Sequence, residues 1–261
     1  MQNVTIDDTP VDVIQRGTGP HLLLLHSLLA DRSSFDLIAP ALAQRYRVTL
    51  PNLPGYGGTA PLRPPVTVED YAHWVTQVIA TLDLPASTAV LGNGLGGFTA
   101  VALAARHGHL FGKLLVVDAL AGFPPAGKEP LRSLAARVQS AGMAAAVEPA
   151  IRRMFPEHYS NAHPALMAER QHALAAADAN AFRHACLALA AADLMPSLGL
   201  IRNPALVIAG ADDLTTPAAL ARELAAGIAG ARYAEIADCG HCPQIQQPRA
   251  LIALITDFLD A

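Results

Sequence analysis

The sequence GNGLGG at residues 92–97 joins an apolar run to a segment of helical periodicity, and its glycines fit two chemical motifs. With Gly94 at its centre, it has the spacing of G-x-S-x-G, the sharp turn that exposes a nucleophilic serine, except that glycine replaces the serine. Read as Gly92, Gly94 and Gly97, it is G-x-G-x-x-G, which holds a dinucleotide pyrophosphate at a helix N-terminus. Asp118, about 20 residues further on, stands where that second motif requires a ribose-binding acid. Both interpretations are open at this point in the chain.

An acidic pair and a histidine follow later in the chain. The apolar run ALVIAG leads directly into Asp212 and Asp213, so both carboxylates are expected at the carboxyl end of a strand. His241 lies just after the last strand candidate, in DCGHCPQIQQP. The order of nucleophile, acid and histidine favours the first motif, because the dinucleotide motif explains nothing else in the chain.

Backbone N–H groups for a developing oxyanion are expected from two places. The string LLLLHSLLADRSSFD puts His26 and Ser27 at a strand end, and Leu28 is the first expected donor. The N–H of Leu95, after the glycine motif, is the second. Together they would hold the negative oxygen that forms when a carbonyl carbon is attacked. The string PNLPGYGGT supplies the turn after the next strand.

These segments together resemble the α/β-hydrolases over the whole chain, and most closely the family of 3-oxoadipate enol-lactonase. The resemblance is carried by HSLLADRSSFD, GMAAAVEPAIRRMF, HPALMAERQ and AADLMPSLGLIRNPALVIAGADDLTTP, and the strings from the predicted cap are the more diagnostic. It implies Asp213 as the acid, because the family pattern places it three residues after Gly210 and four before Pro217. Asp212 is the fallback.

The resemblance also implies His241 as the general base and Gly94 at the nucleophile position, where this chain departs from the family pattern. Glycine has no atom that can attack a carbonyl, so the sequence predicts a hydrolase that is inactive or strongly impaired. Slow turnover would need a water activated by His241. An engineered substitution and a natural loss are both open as the origin of Gly94.

Three other side chains are candidates for a replacement nucleophile or a metal ligand. Ser27 is interpreted as part of the oxyanion loop. Cys239 and Cys242 flank His241 in CGHC, but a redox motif of that kind belongs after an early strand at a helix start. We interpret them as chance cysteines, and no metal site is expected because further ligands at suitable spacing are missing.

The region between residues 122 and 201 lacks strand signals and is rich in alanine, which predicts an inserted helical cap with helices around 131–147 and 163–194. An enol-lactone that carries a carboxylate would need a cation, and the cap offers Arg152, Arg153 and Arg183. Met154, Phe155 and Met167 could line an apolar pocket. The candidate substrate-binding residues are Arg153, Arg183 and Phe155.

The elements that position these residues follow an α/β pattern. Short apolar runs alternate with helical segments, which predicts a mostly parallel sheet with helices on both faces. The expected strands are 21–25, 47–50, 88–91, 113–117, 205–209 and 232–236. The expected helices outside the cap are 68–82, with Thr67 as N-cap, 98–105 and 249–259. The predicted division is a hydrolase core of residues 1–121 and 202–261 and a cap of residues 122–201.

Composition excludes several classes of partner. The 261 residues include 18 basic and 22 acidic ones, a formal charge of −4 spread without blocks, which gives no footprint for nucleic acid or a membrane surface. The polar N-terminus lacks a signal sequence and three cysteines are too few for a disulfide scaffold, so we expect a cytoplasmic protein. We expect a small ester or lactone as substrate, without a cofactor. A non-catalytic ligand-binding protein and an NAD(P)-dependent oxidoreductase are the alternatives.

Overall fold

The computed structural model describes residues 4–261 and contains a small antiparallel ribbon and a seven-stranded sheet. The strands are β1 (Val4–Ile6), β2 (Thr9–Val11), β3 (Val13–Arg16), β4 (His21–Leu25), β5 (Arg47–Pro51), β6 (Ala89–Asn93), β7 (Lys113–Val117), β8 (Ala205–Gly210) and β9 (Arg232–Ile236). Strands β1 and β2 form the ribbon. The large sheet has the order β3-β5-β4-β6-β7-β8-β9, and every neighbouring pair in it is parallel except the antiparallel pair β3 and β5.

Helices occupy the segments between and after the strands. They are α1 (Ala39–Leu42), α2 (Val68–Thr81), α3 (Leu95–His107), α4 (Pro125–Ala141), α5 (Ala144–Met154), α6 (Glu157–Ala162), α7 (Pro164–Ala175), α8 (Ala179–Ala191), α9 (Ala218–Gly227), α10 (Pro243–Gln246) and α11 (Pro248–Asp260). Three short 3₁₀ helices cover Arg32–Phe35, Gly108–Leu110 and Met195–Leu200.

The central strands are apolar along their length because both faces of the sheet are covered. In β4, Leu23 and Leu25 belong to the core that contains α2, α3 and α9, whereas Leu22 and Leu24 belong to the core that contains α1 and α11. This alternation is the two-residue period of a strand. The sheet therefore separates two hydrophobic cores, and helices cover both of its faces. The predicted fold class is confirmed.

Helices α4 to α8 all lie between β7 and β8, in the region where the sequence predicted a helical cap. The ends of this insertion meet, since Gly122 forms an isolated antiparallel bridge with Asp193 and the Leu194 N–H donates to the Ala121 carbonyl at 2.6 Å. Helix α4 packs along α8, and α8 also contacts α2 and α3. The insertion is thereby anchored at the edge of the sheet where the β6–α3 turn lies.

The sequence predicted all six parallel strands of the sheet but not β1, β2 or β3, which are three or four residues long and partly exposed. Thr67 forms the predicted N-cap of α2, as part of a capping box with Asp70. Helix α3 begins at Leu95, three residues earlier than expected; the sequence predicted the later start because Gly96 and Gly97 in the first turn have low helical propensity. Within residues 4–261, no helix is both long enough and apolar enough to cross a membrane.

Replacing Gly96 with alanine should destabilise the fold strongly. A Cβ at this position would overlap the backbone carbonyl of Leu25 and lie 2.7 Å from the Leu25 Cβ, so β4 and α3 could not keep their spacing. We expect a loss of about 3 kcal/mol in the free energy of unfolding, measured by urea denaturation. Gly199→Ala is the matched control, because nothing lies within 4 Å of its added Cβ. Equal stability of the two variants would contradict the close approach.

Candidate active site

The turn between β6 and α3 places Gly94 at the carboxyl edge of the sheet. Gly94 has φ 53° and ψ −118°, a conformation that side chains rarely adopt, and it directly precedes the first residue of α3. Its N–H donates to the Val117 carbonyl at 3.1 Å, and the Gly96 N–H donates to the His26 carbonyl at 3.0 Å. The turn is thus held to β7 on one side and to the end of β4 on the other.

Two further glycines make this turn possible. A Cβ at Gly92 would overlap the Gly96 carbonyl, and a Cβ at Gly97 would lie 2.5 Å from the Ala119 side chain. The glycines are thus needed for the sharp reversal and for the packing of α3 against the sheet. This requirement matches the small flanking residues of a strand–nucleophile–helix turn.

Asp213 and His241 meet as the sequence order predicted. Asp213 Oδ2 accepts a hydrogen bond from His241 Nδ1 at 2.8 Å, and both side chains are almost completely buried. The Thr216 hydroxyl donates to the same Oδ2 at 2.5 Å, and the N–H groups of Thr215 and Thr216 donate to Oδ1 at 2.7 and 3.1 Å. Burial alone would raise the pKa of Asp213, but His241 and these donors outweigh it and hold the pKa below its ordinary value. The aspartate is therefore ionised and fixes the imidazole.

The fallback acid, Asp212, lies outside this pair. It is exposed, and its backbone N–H donates to the Cys239 carbonyl at 2.8 Å. The difference follows from the turn after β8, where the Asp213 N–H donates back to the Gly210 carbonyl. That turn directs Asp213 inward towards His241.

Asp118 is a second buried carboxyl beside the pair. Its Oδ1 accepts from the Gly210 N–H at 2.7 Å, and carboxylate or imidazole atoms of Asp118, Asp213 and His241 lie within 4.8 Å of one another. Burial, and then the charge of Asp213, raise the pKa of Asp118 well above its ordinary value. Because this side chain is completely buried and faces Gly210, it does not occupy the ribose-binding position that the dinucleotide motif requires.

The histidine loop is held by two amide side chains that the sequence analysis did not single out. Asn93, the last residue of β6, donates from Nδ2 to the carbonyls of Val117 and His241, both at 3.2 Å. Gln244 donates to Asn93 Oδ1 at 3.0 Å. Both side chains are fully buried, so the position of His241 depends on the same turn that contains Gly94.

His26 fixes the loop that follows β4. Its Nε2 accepts from the Leu53 N–H at 2.8 Å, and its Nδ1 lies 2.9 Å from the Ser27 carbonyl, so the neutral ring donates from Nδ1. Burial lowers the pKa of His26 to about 4, which agrees with the neutral form. The Tyr56 hydroxyl donates to the Leu28 carbonyl at 2.7 Å. The backbone of residues 26–28 is therefore rigidly placed beside the glycine turn.

A cavity of about 190 Å³ lies over these elements. Gly94, His241, and the predicted oxyanion donors Leu28 and Leu95 all contribute to its wall. Across residues 4–261, neither the Leu28 N–H nor the Leu95 N–H has a hydrogen-bond acceptor. The remaining wall is largely apolar and includes Phe98, Phe123, Leu131, Leu134 and Leu189. The cavity thus joins unused backbone donors and an imidazole to an apolar space.

Of the predicted substrate-binding residues, only Arg153 lines the cavity. Its guanidinium donates to the Leu214 carbonyl at 3.3 Å. Arg183 is directed instead to His184, at 2.7 Å, and Phe155 is buried in the core with its ring stacked on Tyr159. A second arginine, Arg137 of α4, does line the cavity; its exposed helical position gave no signal in the sequence.

The cysteines beside His241 are buried and unpaired. The Cys242 Sγ lies 3.8 Å from the sulfur of Met154, and burial raises the pKa of both the Cys239 and Cys242 thiols. Neither side chain lines the cavity. Met167 is buried as well and is not part of the cavity wall.

Asp118→Asn should stabilise the protein increasingly as pH rises. The folded-state pKa of Asp118 lies above the ordinary value of 3.8, so its contribution to stability is full below that pH and is lost as pH rises through the folded-state pKa. Asparagine keeps an acceptor for the Gly210 N–H and does not titrate. We expect the melting temperature of the variant to exceed that of the wild type by a few degrees at pH 8 and by less at pH 4.

Asp212, the exposed neighbour of Asp213, provides the control for the Asp118→Asn experiment. Asp212→Asn should shift the melting temperature little, because its side chain is exposed. An Asp118→Asn difference that is independent of pH would contradict a raised pKa at Asp118.

Comparison with known proteins agrees with this fold. The sequence profile of the Alpha/beta hydrolase family matches residues 22–254. The chain is 32% identical to a pimeloyl-[acyl-carrier protein] methyl ester esterase of Aromatoleum aromaticum, over 92% of this chain and 98% of the other. It is 27% identical to 3-oxoadipate enol-lactonase 2 of Acinetobacter baylyi, over 88% and 85% of the two chains. The crystal structure of an enol-lactonase from Burkholderia xenovorans superposes with a TM-score of 0.91, at 31% identity and 98% coverage of both chains.

Proposed function

The chain belongs to the alpha/beta hydrolase family, and on that premise we propose that it is a carboxylic-ester or lactone hydrolase of the enol-lactonase type with Gly94 at the nucleophile position. Its relatives include an esterase and an enol-lactonase, so the hydrolase class is common to them. The observation that carries the proposal is the buried Asp213–His241 hydrogen bond at the edge of a cavity that also has two unused N–H donors.

The proposed roles follow from this arrangement. Asp213 holds the proton of His241 on Nδ1, which leaves Nε2 free to act as a general base towards the cavity. The N–H groups of Leu28 and Leu95 stabilise the oxyanion of the tetrahedral intermediate. Residue 94 has no side chain, so no covalent intermediate forms there, and turnover is impaired relative to a site with serine at that position.

The cavity also favours a class of substrate. Its wall is largely apolar, and away from the catalytic edge its polar residues are Ser133, Arg137 and Arg153, which come from α4 and α5 of the inserted segment. A substrate with an apolar or planar body and a carboxylate arm would place the body against the aromatic wall and the arm against a guanidinium. An enol-lactone that carries a carboxylate has this form.

Hydrolysis of an ester and lactone panel that includes 3-oxoadipate enol-lactone tests the proposed activity. A Cβ at residue 94 would overlap the Ser27 hydroxyl and lie 2.8 Å from the Ser27 Cβ, so a serine there requires the Ser27 side chain to shift, and removal of that side chain relieves the contact. We expect the double variant Gly94→Ser/Ser27→Gly to hydrolyse at least one member about tenfold faster than the wild type or more, and Gly94→Ser alone to gain less. Steady-state kcat/KM for all three proteins provides the comparison.

His241→Ala is the control in both backgrounds, and it should lower kcat by about 10³-fold because it removes the general base. If neither the wild type nor the double variant hydrolyses any panel member while both remain folded by circular dichroism, the proposed activity is wrong.

Arg153→Met should select against substrates that carry a carboxylate. We expect KM for the carboxylate-bearing enol-lactone to rise about tenfold, because one charge-assisted contact is lost, with kcat/KM for an uncharged lactone of similar size nearly unchanged. Arg152→Met is the matched control on the same helix, since Arg152 is exposed and paired with Glu148. Equal effects of Arg153→Met on charged and uncharged substrates would mean that Arg153 has a structural role.

A further inference from the structure

Ser27 is the side chain that faces the free nitrogen of His241. Its Oγ lies 3.2 Å from His241 Nε2, and both residues line the cavity. Because Nδ1 of His241 donates to the ionised Asp213, Nε2 has a lone pair, and the Ser27 hydroxyl donates to it. An ionised carboxylate, an imidazole and a serine hydroxyl are therefore joined by consecutive hydrogen bonds, which is the arrangement of a catalytic triad.

The volume beside Gly94 determines which residue can place a hydroxyl next to His241. A Cβ added to Gly94 would overlap the Ser27 Oγ and would lie 2.8 Å from the Ser27 Cβ and 3.0 Å from His241 Nε2. The Ser27 hydroxyl thus occupies the space that a side chain at residue 94 would need. Glycine at residue 94 permits the contact between Ser27 and His241.

We propose that Ser27 is the nucleophile of this site, with His241 as its general base and Asp213 as the residue that orients the imidazole. This inference rests on the proposed hydrolase function and supplies the attacking atom that Gly94 lacks. Ser27 is only 1% exposed, yet it lines the cavity, so its hydroxyl faces the space for a substrate and not bulk solvent.

The proposed reaction needs only an ester or lactone and water as reactants. Ser27 Oγ bonds to the carbonyl carbon while its proton passes to His241 Nε2, and the carbonyl oxygen takes the electron pair of the C=O π bond. Collapse of this intermediate breaks the C–O bond to the alcohol, which receives the proton from His241. In a lactone that alcohol remains part of the acyl group. Water then attacks the acyl-Ser27 ester, His241 accepts its proton and returns it to Oγ, and the carboxylic acid leaves.

Two backbone residues that can donate to the oxyanion, Leu28 and Leu95, line the same cavity as Ser27. Leu28 is its neighbour in the chain, and the Leu95 N–H begins α3, a helix of 13 residues, next to Gly94. Neither N–H is satisfied by another group of residues 4–261. A helix N-terminus adds favourable potential for a developing negative charge.

Hydrogen bonds to neighbouring groups fix the backbone around Ser27. The neutral His26 ring donates to the Ser27 carbonyl, and the His26 carbonyl accepts from the Gly96 N–H. The Ala30 N–H also donates to the Ser27 carbonyl, at 3.2 Å. These contacts tie residue 27 to the glycine turn, so the distance to His241 is set by the fold.

The experiment is covalent labelling with a fluorophosphonate combined with kinetics. Serine attack forms an Oγ–P bond and releases fluoride, so we expect one phosphonyl adduct, located on Ser27 by peptide mass spectrometry and absent in Ser27→Ala and His241→Ala. On the panel substrate with the highest turnover, Ser27→Ala should lower kcat by about 100-fold or more. Ser34→Ala is the matched control, because Ser34 is buried in the 3₁₀ helix that follows this loop and its hydroxyl has no hydrogen-bond partner among residues 4–261. The extent of labelling and the kcat of this variant should stay within about twofold of the wild type.

The outcomes separate this inference from the proposed function. Hydrolysis that persists in folded Ser27→Ala and still requires His241, with no adduct on Ser27, overturns the inference and leaves a hydrolase that uses an activated water. Labelling of Ser27 without turnover of any panel member supports the nucleophile while the proposed substrate class fails. An adduct on another residue overturns the inference. In Ser27→Cys, alkylation by iodoacetamide that depends on His241 would support it further, because the thiol would occupy the same position.

Discussion

The buried hydrogen bond between Asp213 and His241 is the interaction on which the rest of the site depends. A carboxylate with almost no exposure is tolerable only when its oxygens are fully satisfied, and here His241, Thr216 and two backbone N–H groups satisfy them. The turn after β8 supplies three of these four donors, since Thr215 and Thr216 lie within it. The fourth donor, His241, is held by the end of the sheet and also by the inserted segment, because the His241 N–H donates to the Met154 carbonyl of α5 at 3.0 Å.

That interaction also explains the state of Asp118. Two carboxyls whose oxygens lie within 4.8 Å of an imidazole and of each other cannot both be ionised in a buried site without a large cost. Asp213 has the better donors, so it is the one favoured to carry the charge, whereas burial and the charge of Asp213 raise the pKa of Asp118, which accepts from the Gly210 N–H. An acid whose position after β7 suggested a cofactor-binding role is thus a buried neighbour of the Asp213–His241 pair.

The sequence predicted those parts of the site that depend on strand ends. The apolar runs define the parallel strands, and the residues directly after them, Asp213 among them, must meet at the carboxyl edge. For Ser27 the sequence favours a place in the oxyanion loop over a role as nucleophile, because its contact with His241 joins residues 214 positions apart and cannot be read from a local pattern. Arg137 was missed for a similar reason, since a lone arginine on an exposed helical face has no pattern that relates it to a cavity formed by other elements.

Gly94 and Ser27 border the same small volume beside His241, so the side chain at one position limits the side chain at the other. The backbone at residue 94 retains the positive φ of a sharp turn between strand and helix, and the turn presents an empty space to His241 instead of a side chain. The adjacent loop fills that space with a hydroxyl at hydrogen-bond distance from Nε2. A serine at residue 94 would compete for the same volume, so the Ser27 side chain would have to shift to make room for it. With glycine in this turn, the hydroxyl beside the imidazole comes from the end of β4, through Ser27.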